Sequence, residues 1–140
     1  MVFGFMGTTD GKPIWHRQFD QKKPAFTDPN GYIWHVGVTF VPGLGRFLLT
    51  KPHYARGGNR TATEGDRSKV AGLGVFDAPK LWGPWTTVCY KDEFFDKLFK
   101  FTYFIPQKYI SADAKSLWMA WSGYPQYDNV NFIRGELRLK

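Results

Sequence analysis

Apolar and polar residues alternate with a period of two along much of this chain, and that pattern predicts β-strands. The clearest case is residues 33–41, where four large apolar side chains fall on one side: Trp34, Val36, Val38 and Phe40. The other side carries His35, Gly37 and Thr39. We therefore predict a strand that buries the face bearing tryptophan and phenylalanine and turns His35 toward the opposite face.

Glycine and proline divide the other apolar runs into short strands. Residues 42–45 read Pro-Gly-Leu-Gly, a turn sequence, so that residues 32–50 are predicted to form a hairpin. Further strands are expected at 73–76, 85–90, 101–105 with a continuation over 107–110, 117–122 and 131–139. The segments between them are predicted to be a bend at 77–84, a turn at 111–115 and a loop at 123–129.

Two segments depart from this pattern. Residues 52–70 are polar and contain glycine, which predicts a loop long enough to be either functional or poorly ordered. In residues 92–100, the apolar positions 94, 95, 98 and 99 have helical spacing, and Asp92 suits an N-cap. A short helix and an aromatic-rich loop are both compatible with this second segment.

Composition favours an all-β protein. Aromatic residues make up 19% of the 140 residues, alongside 15 glycines and 9 prolines, and aromatic side chains favour strands. The length suits a single domain spanning 1–140. The one cysteine, Cys89, is expected to be a packed small residue, because it has no second cysteine to pair with.

The charge pattern and the missing motifs narrow the function classes. The net charge of +7 permits weak attraction to nucleic acid, but the basic residues are scattered, which argues against such a partner. The sequence has neither the histidine and cysteine spacing of a metal site nor the glycine pattern of a nucleotide site, so no metal or cofactor is expected. It also shows no membrane span and no signal peptide, so the cytoplasm is the default expectation, with a removed leader as the alternative.

A faint internal repeat suggests blades. The strand–turn–strand pattern of VTFVPGLGRFLLT returns as KYISADAKSLWMAW about 70 residues later. Repeated four-stranded antiparallel units are typical of β-propellers. We expect one blade-like unit at about 15–90 and a second at about 100–140.

The segment Gly72–Trp85, which reads GLGVFDAPKLWGPW, mixes glycine, proline and tryptophan in a way that suits a strand, a rigid bend and a second strand. Together with HVGVTFVPGLGRFLLT before it and FIPQKYISADAKSLWMAWSG and FIRGELRL after it, this segment resembles the C-terminal part of five-bladed β-propellers of the glycoside-hydrolase and sialidase-like kind. The resemblance covers roughly residues 32–140. Its most specific parts are 77–85 and Trp121–Gly123, and it departs at Leu81, where the family phrase usually has proline.

The resemblance implies an all-β fold of antiparallel four-stranded sheets that form two propeller blades, completed by oligomerisation, most simply as a homodimer. It also implies a carbohydrate-related role. Since catalytic carboxylates in such families come from several blades, no catalytic residue is assigned here. We expect a non-catalytic carbohydrate-binding or protein-interaction module.

Two alternatives stay open. One is a glycoside hydrolase whose site is assembled at an oligomer interface, for which the candidate carboxylates are Asp77, Asp113, Asp128 and Glu136. The other is a basic nucleic-acid-binding protein, which the net charge favours and the lack of a known motif opposes.

Seven residues are the candidates for contact with a ligand. His35 could line a channel, Arg46 could hold a carboxylate of an acidic sugar, and Trp82 could stack on a sugar ring. Asp77 is interpreted first as a turn-stabilising acid. The full set is His35, Arg46, His53, Asp77, Trp82, Tyr124 and Asp128.

Overall fold

In a computed structural model, the described part of the chain forms nine β-strands and two short 3-10 turns. The structure describes residues 2–17, 20–29, 33, 35–53, 72–94, 100–123 and 126–138, with backbone only for 126–128. In chain order the strands are β1 (Gly4–Thr9), β2 (Lys12–His16), β3 (Gly37–Val41), β4 (Arg46–His53), β5 (Gly72–Ala78), β6 (Thr86–Lys91), β7 (Lys100–Phe104), β8 (Ser116–Gly123) and β9 (Gln126–Glu136).

Each described strand pairs with its neighbours along the chain. They form a two-stranded sheet β1-β2, a four-stranded sheet β3-β4-β5-β6 and a three-stranded sheet β7-β8-β9, all antiparallel. The all-β prediction is therefore confirmed. Sheet β7–β9, at the position of the second expected blade-like unit, has three described strands where four were expected. None of the described sheets closes on itself.

Strand β7 lies across β3 and β4 and joins the two larger sheets. Thr39 Oγ1 donates a hydrogen bond to Ile105 O at 2.5 Å, and Thr50 Oγ1 donates one to Tyr103 O at 2.8 Å. The core between the sheets is apolar and contains Val41, Leu48, Leu73, Tyr103, Ile105, Ala114, Leu117 and Met119. Strand β7 and the residue after it therefore connect to sheet β3–β6 in two ways. Their side chains pack in the core between the sheets, and their backbone carbonyls accept hydrogen bonds from Thr39 and Thr50.

The buried face of β3 is the opposite of the one expected. Gly37, Thr39 and Val41 are buried, whereas Val38 and Phe40 are 36% and 39% exposed. The close approach of β7 explains the inversion, because a Cβ at position 37 would lie 2.6 Å from Tyr103 O. Only glycine allows β7 to pack so near, and the large side chains consequently point the other way.

Strand limits differ from the predicted ones mainly at the ends. The hairpin β3–β4 is confirmed, although it begins at Gly37, so His35 precedes the strand in a bend. Residues Gln107–Tyr109 form a 3-10 turn and not a continued strand, and β9 begins at Gln126, inside the expected loop. The predicted loop at 52–70 begins too early, because Pro52 and His53 are buried residues of β4. Its remainder, 54–70, and the helix interior at 95–99 lie outside the described residues.

The first hairpin was not predicted. Strands β1 and β2 are joined by Asp10 and Gly11, both with positive φ, of 51° and 71°. Asp-Gly between extended runs is a strong signal for this two-residue turn, since glycine and aspartate tolerate left-handed angles. The dipeptide is present in the sequence, but apolar and polar residues do not alternate clearly on either side of it, so the hairpin was not predicted.

Candidate functional site

The bend between β5 and β6 carries a concave surface that contains the candidate residue Trp82. Trp82 lies between two depressions of about 260 and 440 Å³ and lines both of them, together with Gly83 and Pro84. One depression extends to residues 24–29, and the other extends to the tip of the β1–β2 hairpin. Three separate segments of the chain therefore surround one half-buried tryptophan.

Polar bonds attach the hairpin tip to this bend. Trp82 Nε1 and Lys80 Nζ both donate to Gly11 O, at 3.3 and 3.2 Å. These bonds use the indole N–H, which leaves the ring faces as the part of Trp82 available for contact. Glycine at position 11 suits this arrangement, since its positive φ exposes the carbonyl at the turn.

Aromatic packing holds residues 24–29, which line the smaller depression, against sheet β3–β6. The Phe26 ring lies 4.7 Å from the Phe76 ring and 5.8 Å from the Trp85 ring, measured between centroids. Phe76 is almost fully buried in β5. Residues 24–29 are thereby packed on the face of sheet β3–β6 that points away from β7.

The lining of the two depressions combines an aromatic face with hydroxyl groups and one cation. Threonine hydroxyls come from Thr8, Thr27 and Thr87, and the ammonium group comes from Lys80. Sugar rings present apolar faces rimmed by hydroxyls, so aromatic stacking with hydrogen bonds at the rim is the chemistry that this lining offers.

Arg46 and Asp77, two of the candidates, are brought together across β4 and β5. Arg46 Nε forms an ion pair with Asp77 Oδ2, and Thr86 Oγ1 donates to Asp77 Oδ1. Burial raises the pKa of the Asp77 carboxyl, but these hydrogen bonds and the Arg46 charge more than offset it, so the pKa lies below its ordinary value. Asp77 lies within β5 and not in the predicted bend, and its carboxylate binds side chains of the two neighbouring strands. The predicted role in fixing the turn is therefore wrong, and Asp77 instead links β4, β5 and β6.

A buried ion pair lies at the opposite end of β4, and the sequence analysis missed it. Lys51 Nζ is 2.5 Å from Asp28 Oδ2, and both side chains are essentially inaccessible to solvent. Tyr90 donates its hydroxyl to the same Asp28 oxygen at 3.5 Å, and Lys51 Nζ lies 5.2 Å from the Tyr90 ring centroid. Burial lowers the pKa of the Lys51 ammonium group, and the Asp28 carboxylate opposes this effect.

His53 belongs to this cluster. Its ring stacks on Tyr90 with centroids 3.9 Å apart, and its Nε2 lies 3.4 Å from Asp92 Oδ1. Burial, and then the Lys51 charge, lower the pKa of His53 to about 4, despite the opposing effect of Asp92. His53 is therefore neutral at pH 7. Since the whole ring is buried, it is not placed to meet a dissolved ligand.

This burial of a neutral histidine predicts a pH dependence of stability. Because the pKa in the folded state is about 4 and the ordinary value is 6.5, the unfolded chain binds the proton first as pH falls. The free energy of unfolding should then drop by roughly 3 kcal/mol from pH 6.5 to 4 and show no further loss from this residue below that range. Urea unfolding at several pH values should show a shallower slope for His53→Gln than for the wild type. An unchanged slope in the variant would contradict the assignment.

The remaining candidates are dispersed. His35 stacks on Phe101 at 4.4 Å between centroids, near the end of the sheet that carries His53. Tyr124 lies outside the described residues, and so does the side chain of Asp128, whose backbone belongs to β9. Asp113 accepts hydrogen bonds from Ser111 and the Lys115 N–H, which lower its pKa, so it stabilises the turn before β8.

Several comparisons bear on this site. Among the described residues no group of three or more histidines, cysteines and acids is arranged to hold a metal ion. Within the same residues, no helix has the length and apolarity needed to cross a membrane. No family model matches the chain, and neither a curated protein nor a solved structure matches it.

Proposed function

We propose that this protein is a non-catalytic carbohydrate-binding module and that the groove around Trp82 holds a short oligosaccharide. The observation that carries the proposal is the position of Trp82 between two adjoining depressions. Their volumes, about 260 and 440 Å³, suit small ligands. A ring that borders both can stack against one sugar residue while the next residue of the saccharide occupies the neighbouring depression.

The fold is compatible with the propeller ancestry that we propose alongside this function. Sheet β3–β6 is a four-stranded antiparallel meander, the form of a propeller blade, and sheet β7–β9 packs against it face to face. The segment that resembles the propeller family contains Trp82 itself. A ligand-binding bend on a blade-like sheet is thus the simplest account of both features.

A non-catalytic role agrees better with the carboxylates than an enzymatic one does. Asp77 binds Arg46 and Thr86, and Asp113 binds the turn at Ser111. Glu136 lies on the exposed face of the last strand, in the other sheet. These three described candidates are therefore engaged or separate from the groove, whereas a glycosidase needs two carboxyl groups at one cleft.

The test is a glycan array with neutral and acidic oligosaccharides, followed by calorimetry with the strongest binder. Trp82→Ala is expected to weaken binding at least about tenfold, because it removes the stacking surface. Trp118→Ala is the control, since it removes an indole from the other sheet, where Trp118 is 46% exposed, whereas Trp82 is half-buried.

Two results would contradict the proposal. One is the absence of binding to every saccharide at millimolar concentration. The other is an equal loss of affinity in Trp82→Ala and Trp118→Ala, which would place the ligand away from the bend.

A further inference from the structure

Strand β9 presents a long outer edge, with which no strand in the described part of the chain pairs. It has 11 residues, more than any other described strand, and it is the outer strand of sheet β7–β9. Leu137 N donates to Lys115 O at 2.8 Å, and the register pairs Gly135 with Leu117. Because inward and outward backbone groups alternate in an antiparallel pair, Phe132, Arg134 and Glu136 direct their N–H and C=O groups away from β8.

An apolar cleft adjoins this edge. It has a volume of about 380 Å³ and lies between the outer strands of the two larger sheets. Ile133 and Leu137 of the last strand contribute to its lining, with Leu73, Val75 and Met119 from the neighbouring strands. A further strand placed beside β9 would set its own inward side chains against the mouth of this cleft.

We propose that β9 pairs antiparallel with β9 of a second copy of this chain, about a two-fold axis at Gly135. The two three-stranded sheets then form one continuous six-stranded sheet. In this register Arg134 of each copy lies opposite Glu136 of the other, and Ile133 lies opposite Leu137. Each N–H that points outward from Arg134 meets an outward carbonyl of Glu136, as an antiparallel ladder requires.

Charge complementarity selects this register and this partner. An axis at position 134 would set arginine against arginine, and an axis at position 136 would set glutamate against glutamate; like charges directly opposite each other destabilise a pair. A slip by one residue would move the apolar side chains to the solvent face. Centring on Gly135 gives two ion pairs and two apolar pairs at once, because the two-fold axis repeats each contact.

Sedimentation analysis of the full chain tests the proposal. The wild type should be a dimer at about 50 μM. Arg134→Glu and Glu136→Arg should each weaken the dimer at least about tenfold, since each creates two repulsive pairs. The double variant R134E/E136R restores opposite charges across the axis and should restore the dimer. Lys12→Glu makes the same charge change as R134E on exposed β2 and should leave the dimer intact.

A backbone variant tests the strand pairing itself. Arg134→Pro removes an N–H that points outward, so it breaks the proposed ladder without removing a bond to β8. It should yield a monomer with the circular dichroism spectrum of the wild type. A wild type that is monomeric at about 100 μM, a dimer unaffected by Arg134→Pro, or a double variant that stays dissociated would each overturn the proposal. Binding of saccharide in the assay above is measured independently, so the two proposals fail separately.

Discussion

Replacing Lys51 by methionine should destabilise the protein by about 3–5 kcal/mol. Methionine keeps most of the volume of the lysine stem but removes the charge that faces Asp28. Both side chains of this pair are inaccessible to solvent, so the substitution leaves an uncompensated carboxylate in the interior. Asp28 also belongs to the segment 24–29, which packs through Phe26 on Phe76. Loss of its ion pair with Lys51 should therefore loosen the side of the groove that this segment forms.

Chemical denaturation at pH 7 measures this effect. The double variant Lys51→Met with Asp28→Leu removes both charges and should be clearly more stable than the single variant, because no buried charge is then left unpaired. Lys12→Met, on the exposed hairpin, is the matched control and should stay within about 0.5 kcal/mol of the wild type. A single variant as stable as this control would show that the pair at Lys51 is not buried as described.

Replacing Tyr103 by alanine should cost about 3–5 kcal/mol, because it opens a cavity between the two larger sheets. The Tyr103 side chain is fully buried among residues of both sheets, and its ring makes an edge contact with Phe94 at 6.0 Å. The hydrogen bond from Thr50 reaches the backbone carbonyl of residue 103, so it can persist in the variant. The loss therefore reports the removal of the Tyr103 side chain and not the loss of this backbone hydrogen bond.

The neighbouring residue on the same strand supplies the control. Phe104 points to the opposite face of β7 and is 45% exposed, so Phe104→Ala should change the free energy of unfolding by less than about 1 kcal/mol. Equal effects in the two variants would show that the faces of β7 are assigned wrongly. Both variants replace a large aromatic residue of β7 by alanine, so they differ mainly in the face of the strand that is changed.

Local signals accounted for the strands. The hairpin β3–β4, strands β5 and β6 and the turn before β8 lie close to their predicted positions, because strand alternation and the preferences of glycine and proline act over a few residues. The Asp10-Gly11 turn was also encoded locally. It could have been found from the dipeptide alone.

Long-range packing decided what local signals left ambiguous. Strand β3 has side chains suited to burial on both faces, and the one that is buried is the face that meets β7, more than 60 residues further along the chain. This outcome does not depend on the residues of β3 alone. The 3-10 turn at Gln107–Tyr109, by contrast, is closed by local hydrogen bonds from Tyr109 N to Pro106 O and from Ile110 N to Gln107 O.

The candidate site likewise depends partly on local sequence signals and partly on long-range packing. Trp82 was predicted from its own bend to be an open aromatic; in the structure it lies in that bend and is half-buried. Arg46 and Asp77 were separate candidates, and only the register of β4 against β5 shows that they bind each other. Lys51 and Asp28 carried no signal of burial, since charged residues are ordinarily exposed and their pairing joins segments 23 residues apart.

By itself the sequence determined an all-β chain of short antiparallel strands, a tryptophan-bearing bend and an excess of positive charge. The tertiary structure decided which faces are buried, which charges are paired, and that Trp82 borders two depressions and β9 is the outer strand of its described sheet. The physical reason is that strand formation depends on neighbouring residues, whereas burial and pairing depend on which distant strand packs alongside, and that choice minimises the free energy of the whole fold.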